Sequence, residues 1–272
     1  IDDTAYVLTI LPTDKYEVAQ TDLDRSAGVP YPTEKVEFQF PKLQTATLSN
    51  GAKVVLAQRK GVPLVELNFQ FNFGYAQENN DELGYTNFMM DMLNEGTRKY
   101  SSLEFDQILD SLGSNIGFGS GLDSSFVSIS SLKDNLDETL DLAKEAVMYP
   151  TFPLDEIERI KKQTLAAFKR EEFRPASIAF RNIGNLLYGQ DHPYGKLLIG
   201  SGVSETITSL TQSDLSSIHK RTLNPKNLTF VVAGDISLDE ITQTLEKKFG
   251  SWNADISSPL KDLSNVELPD TR

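Results

Sequence analysis

The chain of 272 residues contains no cysteine and only two histidines, His192 and His219. Without cysteine there are no disulfides, thiolate zinc sites, iron–sulfur clusters or cysteine nucleophile. Two imidazoles, 27 positions apart with no His-x-x-x-His pair, exclude any chemistry that needs an imidazole cluster. Apolar runs fall well short of the ~20 residues of a membrane span. Basic residues are scarce, 26 Lys and Arg against 39 Asp and Glu, for a formal net charge of −13. That balance repels phosphate backbones and anionic headgroups, which argues against nucleic-acid or membrane partners. The lack of cysteine leaves the compartment open.

Hydrophobic residues make up 39% and charged residues 24%, enough for a packed core. Residues 1–40 begin with a β-like run, Tyr6 to Ile10, and continue as a stretch rich in Pro, Asp and Thr. They read as the end of a preceding unit and a linker, so the chain is expected to be part of something longer.

Patterning starts at Gln44. Two β-like runs, Thr45 to Ser49 and Ala52 to Gln58, flank Asn50-Gly51, the strongest short hairpin signal. Val65 to Phe73 alternates apolar and polar residues, which predicts a strand with one covered face. Helical spacing covers Gly84 to Glu95, then Leu103 to Leu112 behind a Ser101 or Ser102 cap and closed by Gly113. Phe118 to Leu132 reads as two strands around Gly121. Helices follow over Lys133–Tyr149, Leu154–Phe173, Pro175–Tyr188 and Thr211–Leu223. Asn227 to Ala233 reads as a buried strand, Leu238 to Phe249 as a last helix, with Trp252 anchoring it.

The order β-β-β-α-α-β-β-α-α-α-α-β-α lacks βαβ alternation and any phosphate-binding glycine loop. The expected fold is α+β, an antiparallel-dominated sheet with helices packed on one face. One core over residues 41–252 is expected, with 253–272 as a tail towards a following unit.

Catalytic signals are sparse. His192 lies in Asp191-His192-Pro193-Tyr194-Gly195, a turn, and no Gly-x-Ser-x-Gly elbow precedes a helix. Asp91 and Glu95, four apart on one helix, have the spacing of a hard-cation pair, and equally of a solvated face. The acidic run Glu78 to Glu82 reads as an exposed loop leading into a helix whose N-terminus favours negative charge. Tyr75, Phe88, Phe105 and Phe118 read as core.

Several segments, taken in order, resemble one family. They are Leu48-Ser49-Asn50-Gly51, Phe73-Gly74-Tyr75-Ala76, a Gly-Tyr-Thr helix start at Gly84 and Leu93-Asn94-Glu95-Gly96-Thr97. Tyr149-Pro150-Thr151-Phe152-Pro153, His192-Pro193-Tyr194-Gly195, Asn224-Pro225-Lys226-Asn227, Val231-Val232-Ala233-Gly234-Asp235 and Phe249-Gly250-Ser251-Trp252 follow. This series resembles the pitrilysin/insulinase-type zinc metallopeptidases, which include the mitochondrial processing peptidases.

Active members of that family carry His-x-x-Glu-His on the helix beginning here at Gly84, two His binding zinc and the Glu activating water. The first His aligns with Asn87, the general base with Met90 and the second His with Asp91. The third ligand, a Glu on the long helix, aligns with Ala167, and the acid two turns earlier with Ile160. The resemblance therefore implies five vestigial positions, none a ligand: Asn87, Met90, Asp91, Ile160 and Ala167. It implies an inactive, processing-peptidase-like unit with no cofactor of its own, zinc being held only by a partner half. Chamber closure and peptide binding would be its work, with the catalytic half of the same polypeptide or a homologous subunit as partner. Exported bacterial relatives imply a periplasmic location. A scaffold that kept the fold and left proteolysis is the alternative, and an unrelated enzyme built on Asp91 and Glu95 a third.

Overall fold

The structure, a computed structural model, describes residues 39–253 except 190, 191 and 197, together with residues 26 and 28. The β-like run at Tyr6, the linker and the tail beyond Asn253 lie outside the described residues. The elements below belong to the second of two units, residues 41–272.

Strands β1 (Gln44–Thr47) and β2 (Lys53–Gln58) form the expected hairpin. Gly51 takes a left-handed φ of 92° in the turn, and Asn50 Oδ1 accepts the Ala52 N–H at 3.1 Å. The Asn50 amide also donates to the Phe249 and Trp252 carbonyls, so one turn residue ties the hairpin to the end of the last described helix. With β3 (Leu64–Phe71), β4 (Asn115–Ser120), β5 (Ser125–Leu132) and β6 (Leu228–Gly234) these strands make one sheet in the order β1-β2-β6-β3-β5-β4. Among the described strands, only the β2–β6 pair is parallel.

Register follows the apolar alternation. Val54, Phe230, Phe69, Val127 and Phe118 align as one row across five strands; Leu56, Val232, Leu67, Ile129 and Ile116 form the next. A one-residue slip of any strand would turn its share of these rows to solvent, so the buried face specifies the pairing. Phe69 meets Phe230 and Phe249 edge-on, with ring centroids 4.8 and 5.2 Å apart.

Helices cover the apolar face. The described helices are α1 (Tyr85–Asp91), α2 (Ser102–Ser111), α3 (Leu136–Met148), α4 (Leu154–Glu171), α5 (Pro175–Tyr188), α6 (Ser204–Ser209), α7 (Gln212–Thr222) and α8 (Leu238–Phe249), of which α1, α2, α3 and α8 contact the sheet. α8 packs on β1 and β2, α3 on β5, and α1 between β4 and α7. Ser101 caps α2 in a reciprocal box with Glu104. Trp252 packs edge-on against Phe71 beyond α8, as expected of an anchor.

Three expectations change. α6 is an added helix where the sequence suggested only loop; Thr206 Oγ1 donates to the Leu83 carbonyl at 2.6 Å and Ile207 is buried, so tertiary contact sets it. α1 ends at Asp91 rather than Glu95, because the next amides turn back to carbonyls three residues earlier: Leu93 to Met90 and Glu95 to Met92. Glu78, expected in an exposed loop, is buried at 2% exposure.

Candidate functional site

The N-terminus of α1 has no side-chain cap of its own, since Gly84 stands there with φ 90°. Its orphan amides are met from six and eight residues upstream. The Gly84 N–H donates to Glu78 Oε2 at 2.8 Å and the Thr86 N–H to Glu78 Oε1 at 2.6 Å. Burial pushes the Glu78 carboxyl up to about 7, against the opposing pull of the Thr86 and Gly84 amides and the Lys196 charge. Lys196 in turn donates to the Glu78 backbone carbonyl, and burial lowers its own pKa. Beside it, Arg221 on α7 pairs with Glu82 at 2.8 Å.

Residues 198–202, between α5 and α6, are laid over this helix start. The Tyr75 hydroxyl donates to the Leu198 carbonyl at 2.6 Å. Gly200, at φ 64°, passes so close that a β-carbon there would lie 2.5 Å from the Tyr75 ring and 2.6 Å from Asn87 Nδ2. Gly202 meets Gly84 backbone to backbone: a β-carbon on Gly84 would lie 2.6 Å from the Gly202 α-carbon. Side chains are excluded from both crossings, which is how the chain seals the head of α1.

The five aligned positions divide between two helices. Asn87, Met90 and Asp91 occupy adjacent turns of α1. Asn87 is half-buried under Gly200, Met90 is fully buried in the core, and Asp91 is exposed. Partial burial, then the neighbouring Glu95, raises the Asp91 carboxyl, an effect that its contact with water moderates. Ile160 and Ala167 lie two turns apart on α4, the first buried and the second half-buried. Glu95 is spent on structure: Arg159 of α4 pairs with it at 2.6 Å and the Ser102 hydroxyl donates to it at 3.0 Å.

A tetrahedral zinc needs three protein donors drawn from imidazole, thiolate and carboxylate. Among the five positions only Asp91 supplies one, and Met90 places a thioether inside the apolar core. The set does not fit the metal. Among the described residues, no three His, Asp or Glu side chains gather where they would hold an ion.

His192 sits at the head of a short 3-10 turn, where its Nδ1 accepts the Tyr194 N–H at 2.9 Å and its ring stacks on Tyr188. His219 gives its Nε2 to the Val147 carbonyl at 2.8 Å, and burial lowers its pKa. It lines an open cleft of about 650 Å³ with Tyr149, Phe152, Lys220 and Trp252, which includes none of the five positions.

The insulinase model, peptidase family M16, matches residues 53–200, more than half of the chain. The chain belongs to that family. The model of the peptidase M16 inactive domain matches residues 209–270. A solved peptidase M16 inactive domain from Pseudomonas fluorescens is 28% identical with a TM-score of 0.76, over 84% of this chain and 54% of that one. An uncharacterized zinc protease of Rickettsia felis is 24% identical over 75% of this chain and 49% of its own. A Helicobacter pylori protein named a non-peptidase homolog, YmxG, is 24% identical over 76% of this chain and 48% of its own. The chain thus spans about half the length of the curated relatives it matches.

Sequence reasoning missed Glu78 and the Gly200–Gly202 crossing as organisers of α1. The available signal was a helix opening on Gly84 without Ser, Thr, Asp or Asn at its cap, which leaves amides to be met by a distant acceptor.

Proposed function

We propose that this chain is a non-catalytic unit of a zinc-dependent metallopeptidase, closing its chamber and holding peptide while a partner half binds zinc and cleaves. The observation that carries the reading is the state of α1: Met90 fills the core where the family's general base would stand, and Asn87 lies beneath Gly200. The match to the inactive-domain model supports it.

Peptide binding is assigned to the edge of β4. Among the described strands β4 hydrogen-bonds only to β5, and it adjoins α1. An extended peptide adds to such an edge by main-chain hydrogen bonds. Gly117 and Gly119 leave the face of that strand opposite Ile116 and Phe118 without side chains at those two positions, with the Phe126 ring lying over Gly119.

The periplasmic location belongs to the same proposal. Among the described residues, no helix is long and apolar enough to cross a membrane.

The test is to produce this chain and the metal-binding half of its parent separately and assay peptide hydrolysis alone and mixed. Activity that needs both pieces and disappears with a chelator is the expected result. Cleavage by this chain alone would overturn the reading. The second reading, a scaffold without proteolysis, is favoured by the likeness to the H. pylori non-peptidase homolog. It predicts a stable complex on mixing and no hydrolysis.

A further inference from the structure

α5 carries an apolar face that nothing described covers. Its inner side is fixed: Gly184 packs against the Tyr194 and Lys196 carbonyls, and Arg181 bonds Glu171, the Ser201 hydroxyl and the Gly202 carbonyl. On the outer side Ala176, Phe180, Ile183 and Leu187 follow at steps of four, three and four, with Ala179 and Leu186 alongside. That spacing draws one continuous stripe down a helix. Phe180 is 59% and Leu187 54% exposed, and Gly184 is the helix's single buried residue. No acidic residue lies between Arg174 and Tyr188, in a chain of net charge −13. This face is built for contact with protein rather than water.

Size and tethering select the occupant. A 14-residue helix is roughly 21 Å long. Such a face, roughly 21 Å by 10 Å, is small against the ~800 Å² per partner of a standard stable interface. A free second copy held by α5 alone would therefore fall apart at ordinary concentrations. A partner joined through the same polypeptide meets the face at millimolar effective concentration, where a contact of this size suffices. The curated relatives are about twice as long as the matched part of this chain, so further chain is available to cover it.

We propose that the outer face of α5 docks against an apolar surface in the remainder of the same polypeptide. The inference rests on the partner-half reading for the existence of that further chain, and not for its chemistry.

The absence of cysteine from these 272 residues makes the test direct. Phe180→Cys places one thiol in the middle of the stripe, and Ser217→Cys, exposed on α7, serves as the control. Labelling by a maleimide is followed by mass spectrometry of the peptide containing residue 180, in the 272-residue chain and in the full-length gene product. Circular dichroism confirms folding of each variant, and Leu187→Cys repeats the measurement if Phe180→Cys does not fold.

The expected result is labelling at 180 slower by about tenfold or more in the full-length protein, with 217 unchanged. Equal rates at 180 would overturn the proposal. So would protection in the 272-residue chain that grows with its concentration, which makes a second copy the occupant. Protection that appears only when peptide is added would also overturn it. Peptidase activity with residue 180 open would sink the docking and leave the proposed function standing; protection without activity would do the reverse.

Discussion

Glu78 Oε1 accepts the backbone N–H of Thr86 at 2.6 Å, so a buried carboxylate does the capping that no residue at the start of α1 provides. Negative charge is favoured at that end of a helix, while burial disfavours it, and burial is the larger effect here. The two together make α1 sensitive to pH.

The sign follows from the direction of the shift. Unfolded, Glu78 titrates near 4.5; folded, it is raised to about 7. The folded state therefore binds the proton more tightly, and stability falls as pH rises from about 4.5 to about 7, then levels off. The loss is on the order of 1–3 kcal/mol. His219, lowered by burial, contributes the opposite slope near its own range, so the comparison must be made against a variant. Glu78→Gln is expected to lose the acid-side gain, seen as a smaller difference in urea midpoint between pH 5 and pH 7.5. Identical pH profiles for the two proteins would show that Glu78 does not titrate with folding.

The crossing of Gly200 over Asn87 and Tyr75 predicts a costly alanine. Gly200→Ala brings a β-carbon into both side chains at a φ of 64°. Destabilisation of about 1–3 kcal/mol is expected. Limited proteolysis should then cut between residues 192 and 203 earlier than in the unaltered protein. Gly189→Ala, also at positive φ but with open space around it, supplies the control for backbone strain without collision. If both variants cut at the same rate, the crossing is not what seals α1.

Lys248 gives a third case. Its side chain is 4% exposed and pairs with Asp137 at 3.0 Å and Asp141 at 2.8 Å, joining α8 to α3. Both acids are largely open to water, so losing one leaves the other to hold the ammonium, at a cost of about 1 kcal/mol or less. Asp137→Asn with Asp141→Asn strands a buried cation and is expected to cost about 3 kcal/mol. Lys248→Met removes the charge and keeps the volume, and should cost less than that double change. A thermal-melt series over Asp137→Asn, Asp141→Asn, the double change and Lys248→Met checks the order; Lys248→Met as the worst of them would contradict it.

The sheet was readable because its signals are local. Alternation from Val65 to Phe71 assigns one face of β3 to the core, and Asn50-Gly51 marks the hairpin. Ser101 announces α2 in the same way. What escaped depends on residues distant in sequence. α6 is secured by Thr206 reaching Leu83, and nothing in Ser204–Ser209 itself signals that contact. Glu78 sits among Asn79, Asn80, Asp81 and Glu82 and looks like its neighbours; only the left-handed turn at Gly84 brings the helix amides round to it. The aligned positions were legible as residue types, whereas the loop pressed over Asn87 needed coordinates. The apolar stripe of α5 was legible as a helix and not as an exposed one, because periodicity shows that a face is apolar without showing what lies against it.

Metal dependence supplies the last prediction. The α1 positions offer one carboxylate, a buried thioether and a half-buried amide, and Glu95 is held by Arg159 and Ser102. Zinc at a hundred times its dissociation constant would stabilise a folded protein by about 2.7 kcal/mol if a site existed only in that state. For this chain the expectation is no shift in melting temperature on adding zinc, and none on adding a chelator. Asn87→His with Asp91→His presents two imidazoles one turn apart, a spacing that binds zinc on a helix. Met90 remains in the core of that variant, and Ala167 still lacks an oxygen to complete the set. The double change is therefore expected to bind zinc measurably by calorimetry and still show no hydrolysis. A zinc-dependent rise in the melting temperature of the unaltered chain, accompanied by one metal per molecule in elemental analysis, would mean that other side chains form a site and that α1 is not the vestige described.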